Sequence, residues 1–175
     1  MSELSEMPDG AADDDRPGGR AHTDYTGAVY GSLLAASVVA AVGASGYNRR
    51  SELIVLLLVS GLVFWAAHVY SRLAGERAAH KQVTRREVRR VAGSEWSIVE
   101  AALLPAAAVA VSPLFGLGLS GTAWLAISVA VGQQVAWAVL GALRAGASRG
   151  LAVVEGAVNL VLGLILVAAK AALGH

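Results

Sequence analysis

Five polar side chains interrupt the apolar stretches of the sequence, and their types could support proton transfer or strong hydrogen bonding. They are His68, Glu100, Gln134, Glu155 and Asn159. Polar groups inside apolar helices usually mark a functional site or an interhelical contact, because an unsatisfied polar group in hydrocarbon is costly. A histidine beside two carboxylates could pass protons between them. We therefore treat these residues as one candidate intramembrane polar site.

Structural roles compete with this interpretation. Gln134 and Asn159 each lie ten residues from a flanking arginine, or ~15 Å deep at ~1.5 Å per residue. An amide pair of this kind commonly joins two helices and contributes ~0.6–2 kcal/mol. His68 is shallower, and we expect it to serve packing. Both roles remain open for Glu100 and Glu155, because a buried carboxylate must be paired or protonated. We expect both glutamates to face the bundle interior near His68.

Several kinds of chemistry are not expected from this sequence. The chain has no cysteine, which excludes disulfides, zinc–thiolate sites and thiol catalysis. It also shows no metalloprotease, rhomboid-like or P-loop spacing, and no Ser–His pair shares an obvious site. We therefore expect no enzyme activity, no metal and no cofactor.

The elements that must position these residues are membrane-spanning helices. No Lys, Arg, Asp or Glu occurs from Ala101 to Leu143. Since a crossing needs ~20 apolar residues to span ~30 Å of hydrocarbon, this stretch accommodates two crossings with a turn between them. Hydrophobic residues make up 55% of the chain and charged residues 15%. The sequence predicts an all-α membrane protein, a bundle of five transmembrane helices spanning about 26–44, 53–70, 98–111, 122–143 and 151–173.

Residues 1–24 differ in composition from the membrane domain that we assign to 25–175. Six of the first fifteen residues are acidic, and prolines and glycines interrupt any helix (Pro8, Pro17, Gly18 and Gly19). Such a segment buries too little apolar surface to offset the entropy of ordering, so we predict a disordered acidic tail. The segment lacks the basic region and cleavage site of a signal peptide.

The distribution of basic residues predicts the orientation. With five spans, eleven basic residues fall on the side of the N-terminus and the 71–97 and 144–150 loops, whereas three fall on the other side. The positive-inside rule then places the N-terminus in the cytoplasm and the C-terminus outside, in a bacterial plasma membrane. The third predicted span is short, and the C-terminus would move inside if that span did not cross.

The basic cytoplasmic loop 71–97 contains a predicted short helix. Thr84 and Glu87 have the spacing of a capping box, and Gly93-Ser94 is expected to end this helix and cap the next. Its arginines are candidate contacts for anionic lipid headgroups: Arg85, Arg86, Arg89 and Arg90. The alternative is that these charges only enforce orientation.

Two runs in the sequence carry a resemblance to a known family. Phe64–Ser71 reads FWAAHVYS and Glu95–Ala102 reads EWSIVEAA, and Tyr30-Gly31 precedes them. Together they resemble a family of small multi-pass membrane proteins from high-GC actinobacteria. The resemblance covers most of the chain after residue 24. It implies a location and an architecture, and no particular chemistry.

Two classes of function are therefore expected. The first is a non-catalytic subunit, scaffold or partner of a membrane complex, with the lipid bilayer and a membrane protein or a second copy as partners and no nucleic acid. The alternative is a small transporter or proton pathway built on His68, Glu100 and Glu155. A continuous polar cavity reaching the outer face would favour transport, because ions need a hydrated path.

Overall fold

The computed structural model describes residues 17–45, 49–78 and 84–173, and every regular element within these ranges is helical. Six α-helices and one 3₁₀ turn follow each other: α1 (Pro17–Ser45), α2 (Arg50–Ala78), α3 (Arg85–Ser94), α4 (Ser97–Val111), the turn Ser112–Phe115, α5 (Leu119–Arg144) and α6 (Arg149–Leu173). By length and composition, five helical stretches in this part of the chain could cross a membrane. The protein is thus all-helical, with the helices expected of a multi-pass membrane protein.

Each predicted span lies within one of the observed helices. The shortest, 98–111, corresponds to α4, which has only 15 residues. At ~1.5 Å per residue α4 alone covers ~22 Å, less than the hydrocarbon thickness. However, α3 precedes it and the 3₁₀ turn follows it almost without interruption, so the stretch Arg85–Phe115 comprises 31 residues.

The first helix begins earlier than the sequence indicated. Residues 17–24, which we assigned to the disordered tail, form the start of α1. Pro17 suits this position, because the first helical residue needs no N–H partner and its φ is already helical. The two following glycines disfavour helix only weakly, since a helix nucleated in an adjacent apolar span extends at little cost. Residues 1–16 lie outside the described part of the chain.

Helix α1 occupies the centre of the bundle. It packs against α2, α4, α5 and α6, most extensively on α5, while α6 packs mainly on α5 and α2 mainly on α4. The core between them is rich in alanine and valine, which include Ala35, Ala36, Val39, Ala106, Val109, Ala126 and Ala130. Small side chains let membrane helices approach closely, so that van der Waals packing and interhelical hydrogen bonds hold them together.

Glycines mark the closest approaches between helices. A Cβ atom added to Gly31 would lie 2.9 Å from the backbone oxygen of Ile98, so α1 and α4 meet almost backbone to backbone. A Cβ atom on Gly156 of α6 would lie 2.7 Å from the Cγ2 atom of Val139 on α5. The small residues that the sequence places on α1 and α6 therefore lie at helix–helix interfaces.

The bundle has two chemically different ends. We call the end that carries α3, Arg72 and Arg144 the arginine-rich end. The opposite end carries Arg50, the 3₁₀ turn and Lys170. Between the ends, the outward faces of α2 and α6 expose large apolar side chains, which include Val55, Val59, Val63, Val153, Val158, Val161 and Ile165. A hydrocarbon environment suits these faces, because water would penalise so much exposed apolar surface.

Candidate functional site

The deepest polar contact joins α5 to α6. Gln134 is fully buried, and its Nε2 atom donates hydrogen bonds to the side-chain Oδ1 and the backbone oxygen of Asn159, each at 3.2 Å. Asn159 in turn donates from Nδ2 to the backbone oxygen of Glu155, at 3.0 Å. The expected contact between Gln134 and Asn159 is therefore present, and it links two helices.

A second amide, which the sequence analysis left out of the site, joins three helices. The Nε2 atom of Gln133 donates to Ser32 Oγ at 2.9 Å and to the backbone oxygen of Ala101 at 3.1 Å. Ser32 Oγ donates onward to the backbone oxygen of Ala28 at 2.8 Å. Consecutive helical residues are ~100° apart, so Gln133 bonds α1 and α4 while Gln134 bonds α6. The sequence feature that could have identified Gln133 is the pair of adjacent amides, Gln133-Gln134, within an uncharged run.

Glu100 is not buried in the packed interior of the bundle, so that prediction is wrong, although the residue lines a cavity described below. Its side chain is exposed. The buried face of α4 consists mainly of small and β-branched residues, among them Ile98, Ala101, Ala102, Pro105 and Val109. Glu100 instead continues the exposed stripe of Leu103, Leu104 and Ala107. The position of a residue along a helix can be read from the sequence, but that position alone does not determine which face of the helix carries it.

Glu155 is exposed as well, for the same reason. Helix α6 buries a narrow stripe of small or amide residues against α5: Ala152, Gly156, Asn159 and Gly163. The side chain of Glu155 lies outside this stripe, and its backbone oxygen accepts a hydrogen bond from Asn159 within α6. The prediction that Glu155 faces the interior is also wrong.

His68 packs against α1. Its half-buried ring lies 5.0 Å from the ring of Tyr30, centroid to centroid, at an angle of 44°. This is the tilted aromatic geometry that contributes packing energy beyond burial. The structure therefore does not gather His68, Glu100 and Glu155 in a common buried layer, because both glutamates are exposed while the half-buried His68 packs on α1.

The residues that share a helical face with His68 hold α3 against α2. Trp65 donates from Nε1 to the backbone oxygen of Ala92 at 2.9 Å and meets Trp96 edge to face at 5.5 Å. Arg72 forms an ion pair with Glu95, whose side chain is only 7% exposed. Because Glu95 is nearly buried, removing its arginine would leave a poorly solvated charge. The short helix is thus docked onto protein.

The start of α3 matches the predicted capping residue Thr84, whereas its end matches the prediction for Gly93-Ser94 only in part. Thr84 is the N-cap, and its Oγ1 accepts from the backbone N–H of Glu87 at 3.3 Å. The helix ends at Ser94, but Ser94 does not cap α4: its Oγ donates to the backbone oxygen of Val91, and Trp96 occupies the N-cap without a side-chain hydrogen bond. The intervening turn is short, so Ser94 bonds within its own helix.

The four arginines of α3 are all exposed but not equivalent. Arg90 forms ion pairs with Glu87 and Glu76. Arg85, Arg86 and Arg89 form no ion pair with any residue that the structure describes. Three of the four candidate lipid contacts therefore present charge that no described residue compensates at the arginine-rich end.

Arg50 connects several elements by hydrogen bonds at the end of the bundle opposite to the arginine-rich end. Its Nε donates to Ser112 Oγ at 3.1 Å and to Thr122 Oγ1 at 3.3 Å, and its Nη2 donates to the backbone oxygen of Leu117. Thr122 Oγ1 donates to Ser112 Oγ at 2.8 Å. One guanidinium thus bonds the start of α2 to the turn between α4 and α5. Sequence spacing could not reveal this cluster, because its members are far apart along the chain.

Lys170 is a second cation that the sequence did not identify as structural. It is only 6% exposed, and its Nζ lies 4.5 Å from the centroid of the Trp124 ring. A cation over an indole face is electrostatically favourable, more so when it is desolvated. The interaction connects the last turn of α6 to the first turns of α5.

A cavity of about 300 Å³ lies at the arginine-rich end, between α1, α4 and α5. Its polar lining comes from Tyr25, Ser97, Glu100, Gln133 and Arg144. Tyr25 packs on Trp137 at 5.6 Å between centroids, and the guanidinium carbon of Arg144 lies 5.2 Å from the Tyr25 ring. From Gln133 towards the opposite end, the helices are packed by apolar residues such as Val39, Leu53, Leu57 and Ile127.

Comparison with protein families, with curated protein sequences and with solved structures finds no match for this chain. Within the described residues, no group of three or more His, Asp or Glu side chains could hold a metal ion. A functional assignment must therefore come from the geometry of the polar groups themselves.

Proposed function

We propose that this chain is a non-catalytic, multi-pass integral protein of the bacterial plasma membrane that serves as a subunit, scaffold or partner in a membrane complex. The observation that carries this proposal is that buried polar side chains form hydrogen bonds between helices. Gln133 and Gln134 donate to three neighbouring helices, and Arg50 bonds a turn. These groups hold the bundle together, which is the role expected of a structural protein.

A proton pathway is the alternative, and one observation favours it: Glu100 lines a cavity that contains other polar groups. Two features weigh against it. Glu100 and Glu155 are both exposed, on two different helices. Between Gln133 and the Arg50 cluster the core is packed by apolar residues, and a proton needs polar side chains or water along its path.

Reconstitution into liposomes separates the two functions. The protein would be placed in vesicles containing a pH-sensitive dye, with a potassium gradient and valinomycin to drive proton movement. We expect dye signals equal to those of protein-free vesicles. A flux that Glu100→Gln abolishes, but that the exposed control Ser128→Ala preserves, would replace this proposal by the proton pathway.

Isolation from native membranes tests the partner directly. A tagged chain would be extracted in mild detergent after chemical crosslinking, and the mass of the complex would be measured. We expect a defined complex larger than the monomer, containing either a second membrane protein in fixed ratio or a second copy. A monomeric chain with and without crosslinking would contradict the proposal.

A further inference from the structure

The cavity at the arginine-rich end continues into a shallow groove on the outer surface of the bundle. Both are lined by Leu104, Gln133 and Trp137, so they are contiguous. The groove has a volume of about 350 Å³ and is otherwise lined by Val129, Gly132, Ala136 and Leu140. Together they form a site with a polar chamber at one end and an apolar channel along the helices.

The chamber offers both signs of charge. Glu100 of α4 and Arg144 of α5 line it, and no ion pair joins the two among the residues described. A ligand with one anionic and one cationic group would match this arrangement. An anionic ligand without a cation would find Arg144 but would be repelled by Glu100, since like charges at short range are unfavourable.

Two buried oxygens favour a cation that donates hydrogen bonds. Ser97 Oγ and Gln133 Oε1 are buried and have no hydrogen-bond partner among the described residues, and both residues line the chamber. The orientation of the Gln133 amide is fixed, because its Nε2 donates to Ser32 and Ala101. With Glu100, these oxygens form a set of acceptors, which favours an ammonium with N–H donors over a quaternary ammonium that has none.

The groove has the form of a binding surface for a hydrocarbon chain. Val129, Gly132, Ala136 and Leu140 recur at i, i+3, i+7 and i+11, so they form one stripe along α5. The stripe is ~16 Å long at ~1.5 Å per residue, about half of the ~30 Å hydrocarbon thickness. It extends from near the arginine-rich end into the hydrocarbon region beside the chamber, and the absence of a side chain at Gly132 keeps it open.

We propose that the chamber and groove together bind a phospholipid whose headgroup carries a phosphate and a primary ammonium. Arg144 binds the phosphate, Glu100 and the Gln133 oxygen accept from the ammonium, and one acyl chain lies along the Gly132 stripe. The apolar groove, which opens towards the bilayer, selects a lipid over a soluble compound with the same headgroup.

Native mass spectrometry of the detergent-purified full chain provides the test. The protein would be offered equimolar phosphatidylethanolamine, phosphatidylcholine and phosphatidylglycerol of identical acyl chains. We expect retention of phosphatidylethanolamine to exceed that of the other two about tenfold, the effect of one charge-assisted hydrogen bond. Glu100→Gln should reduce this preference to near unity. The matched control is Glu155→Gln, an exposed carboxylate on α6 outside the site, which should leave the preference unchanged.

The groove is tested separately by Gly132→Leu. A Cβ atom at Gly132 meets no atom within 4 Å, so the bundle should fold while the new side chain fills the channel. We expect retention of phosphatidylethanolamine to fall about tenfold. Gly75→Leu, at an equally open position on α2, should have no effect, and the thermal midpoint of both variants in detergent would verify folding.

Three outcomes would overturn the proposal. The first is equal retention of the three lipids by the unaltered chain. The second is wild-type retention of phosphatidylethanolamine by both Glu100→Gln and Gly132→Leu. The third is that free phosphoethanolamine, the headgroup without acyl chains, binds as tightly as the lipid, which would identify the chamber as a site for a soluble ligand.

Discussion

Single polar side chains stabilise this bundle by bonding several partners at once. Gln133, Gln134 and Arg50 each donate at least two hydrogen bonds, and each bonds at least one other element of the bundle. Water cannot replace a lost partner inside a membrane-spanning helix. Removing only the acceptor of a buried donor should therefore destabilise the protein more than replacing donor and acceptor together by apolar side chains. The stabilities of single and double variants distinguish the loss of one partner from the loss of both.

The first prediction concerns the amide pair of α5 and α6. Asn159→Ala removes the side-chain acceptor of a fully buried amide, and we expect it to destabilise the protein by ~0.6–2 kcal/mol. The double change Gln134→Leu with Asn159→Leu should be milder than the sum of its single changes, because no polar group then lacks its partner. Unfolding by increasing SDS fraction in mixed micelles would measure this, with exposed Ser128→Ala as the control. Additive effects would contradict a direct contact.

The second prediction concerns Arg50. We expect Arg50→Ala to lower stability by about 1.5 kcal/mol or more, since it removes several charge-assisted hydrogen bonds to the turn between α4 and α5. Arg50→Lys should recover only part of this loss, because an ammonium lacks the planar fork. Arg49→Ala, at the exposed neighbouring position, is the matched control. The measurement is the thermal midpoint in detergent, and equal effects of the two alanine variants would refute the assignment.

At the scale of elements, α3 is the part whose position depends on the fewest contacts. The indole of Trp65 and the ion pair between Arg72 and Glu95 attach it to α2, and its outer face carries the arginines. Elements with few buried apolar contacts open locally at low free energy. The docking of α3 should therefore be separable from the stability of the bundle.

The third prediction follows from this attachment. Arg72→Ala should increase amide hydrogen exchange within Arg85–Ser94 about tenfold or more, because a buried carboxylate left unpaired weakens docking. Exchange in α5 should stay unchanged. Arg89→Ala, which removes an exposed arginine of α3, should leave exchange in both helices as in the unaltered chain. If Arg72→Ala has no effect on α3, the ion pair does not determine its position.

The fourth prediction concerns the uncompensated charges of α3. Neutralising Arg85, Arg86 and Arg89 together should reduce the enrichment of phosphatidylglycerol around the protein in mixed-lipid nanodiscs, since each basic residue near an anionic surface contributes about 1 kcal/mol. Neutralising the ion-paired Arg90 alone should have a smaller effect. An unchanged lipid composition with a changed topology would instead show that these charges only set orientation.

At the scale of the whole molecule, the prediction is topology. Eleven of the basic residues belong to the end predicted to be cytoplasmic and three to the other, so we expect the N-terminus inside and the C-terminus outside. Alkaline phosphatase fused after His175 should be active, and the same enzyme fused within the α5–α6 turn at Gly146 should be inactive. The reverse pattern, or activity at neither site, would contradict a five-span arrangement with this orientation.

The sequence was sufficient to predict the helices but not which side of each helix is buried. Uncharged length alone predicted five spans, and each lies within an observed helix, because a bilayer constrains length and polarity directly. Which way Glu100 points depends on where α4 meets α1, and that contact is set by Gly31 and Ile98. Likewise, the partners of Arg50 lie in a turn far along the chain. Such contacts depend on tertiary packing, which local spacing does not encode.

The central position of α1 has a consequence for how the chain is made. Helix α1 leaves the ribosome before α5, with which it has its most extensive contacts, and Ser32 accepts from Gln133, which is synthesised much later. The roughly 100 residues between the ends of α1 and α5 take ~5–20 s to translate. During that interval the face of α1 that packs on α5, which includes Ser32, lacks its final neighbours. A pause in translation before α5 would prolong this vulnerable stage and expose the unfinished chain to membrane proteases.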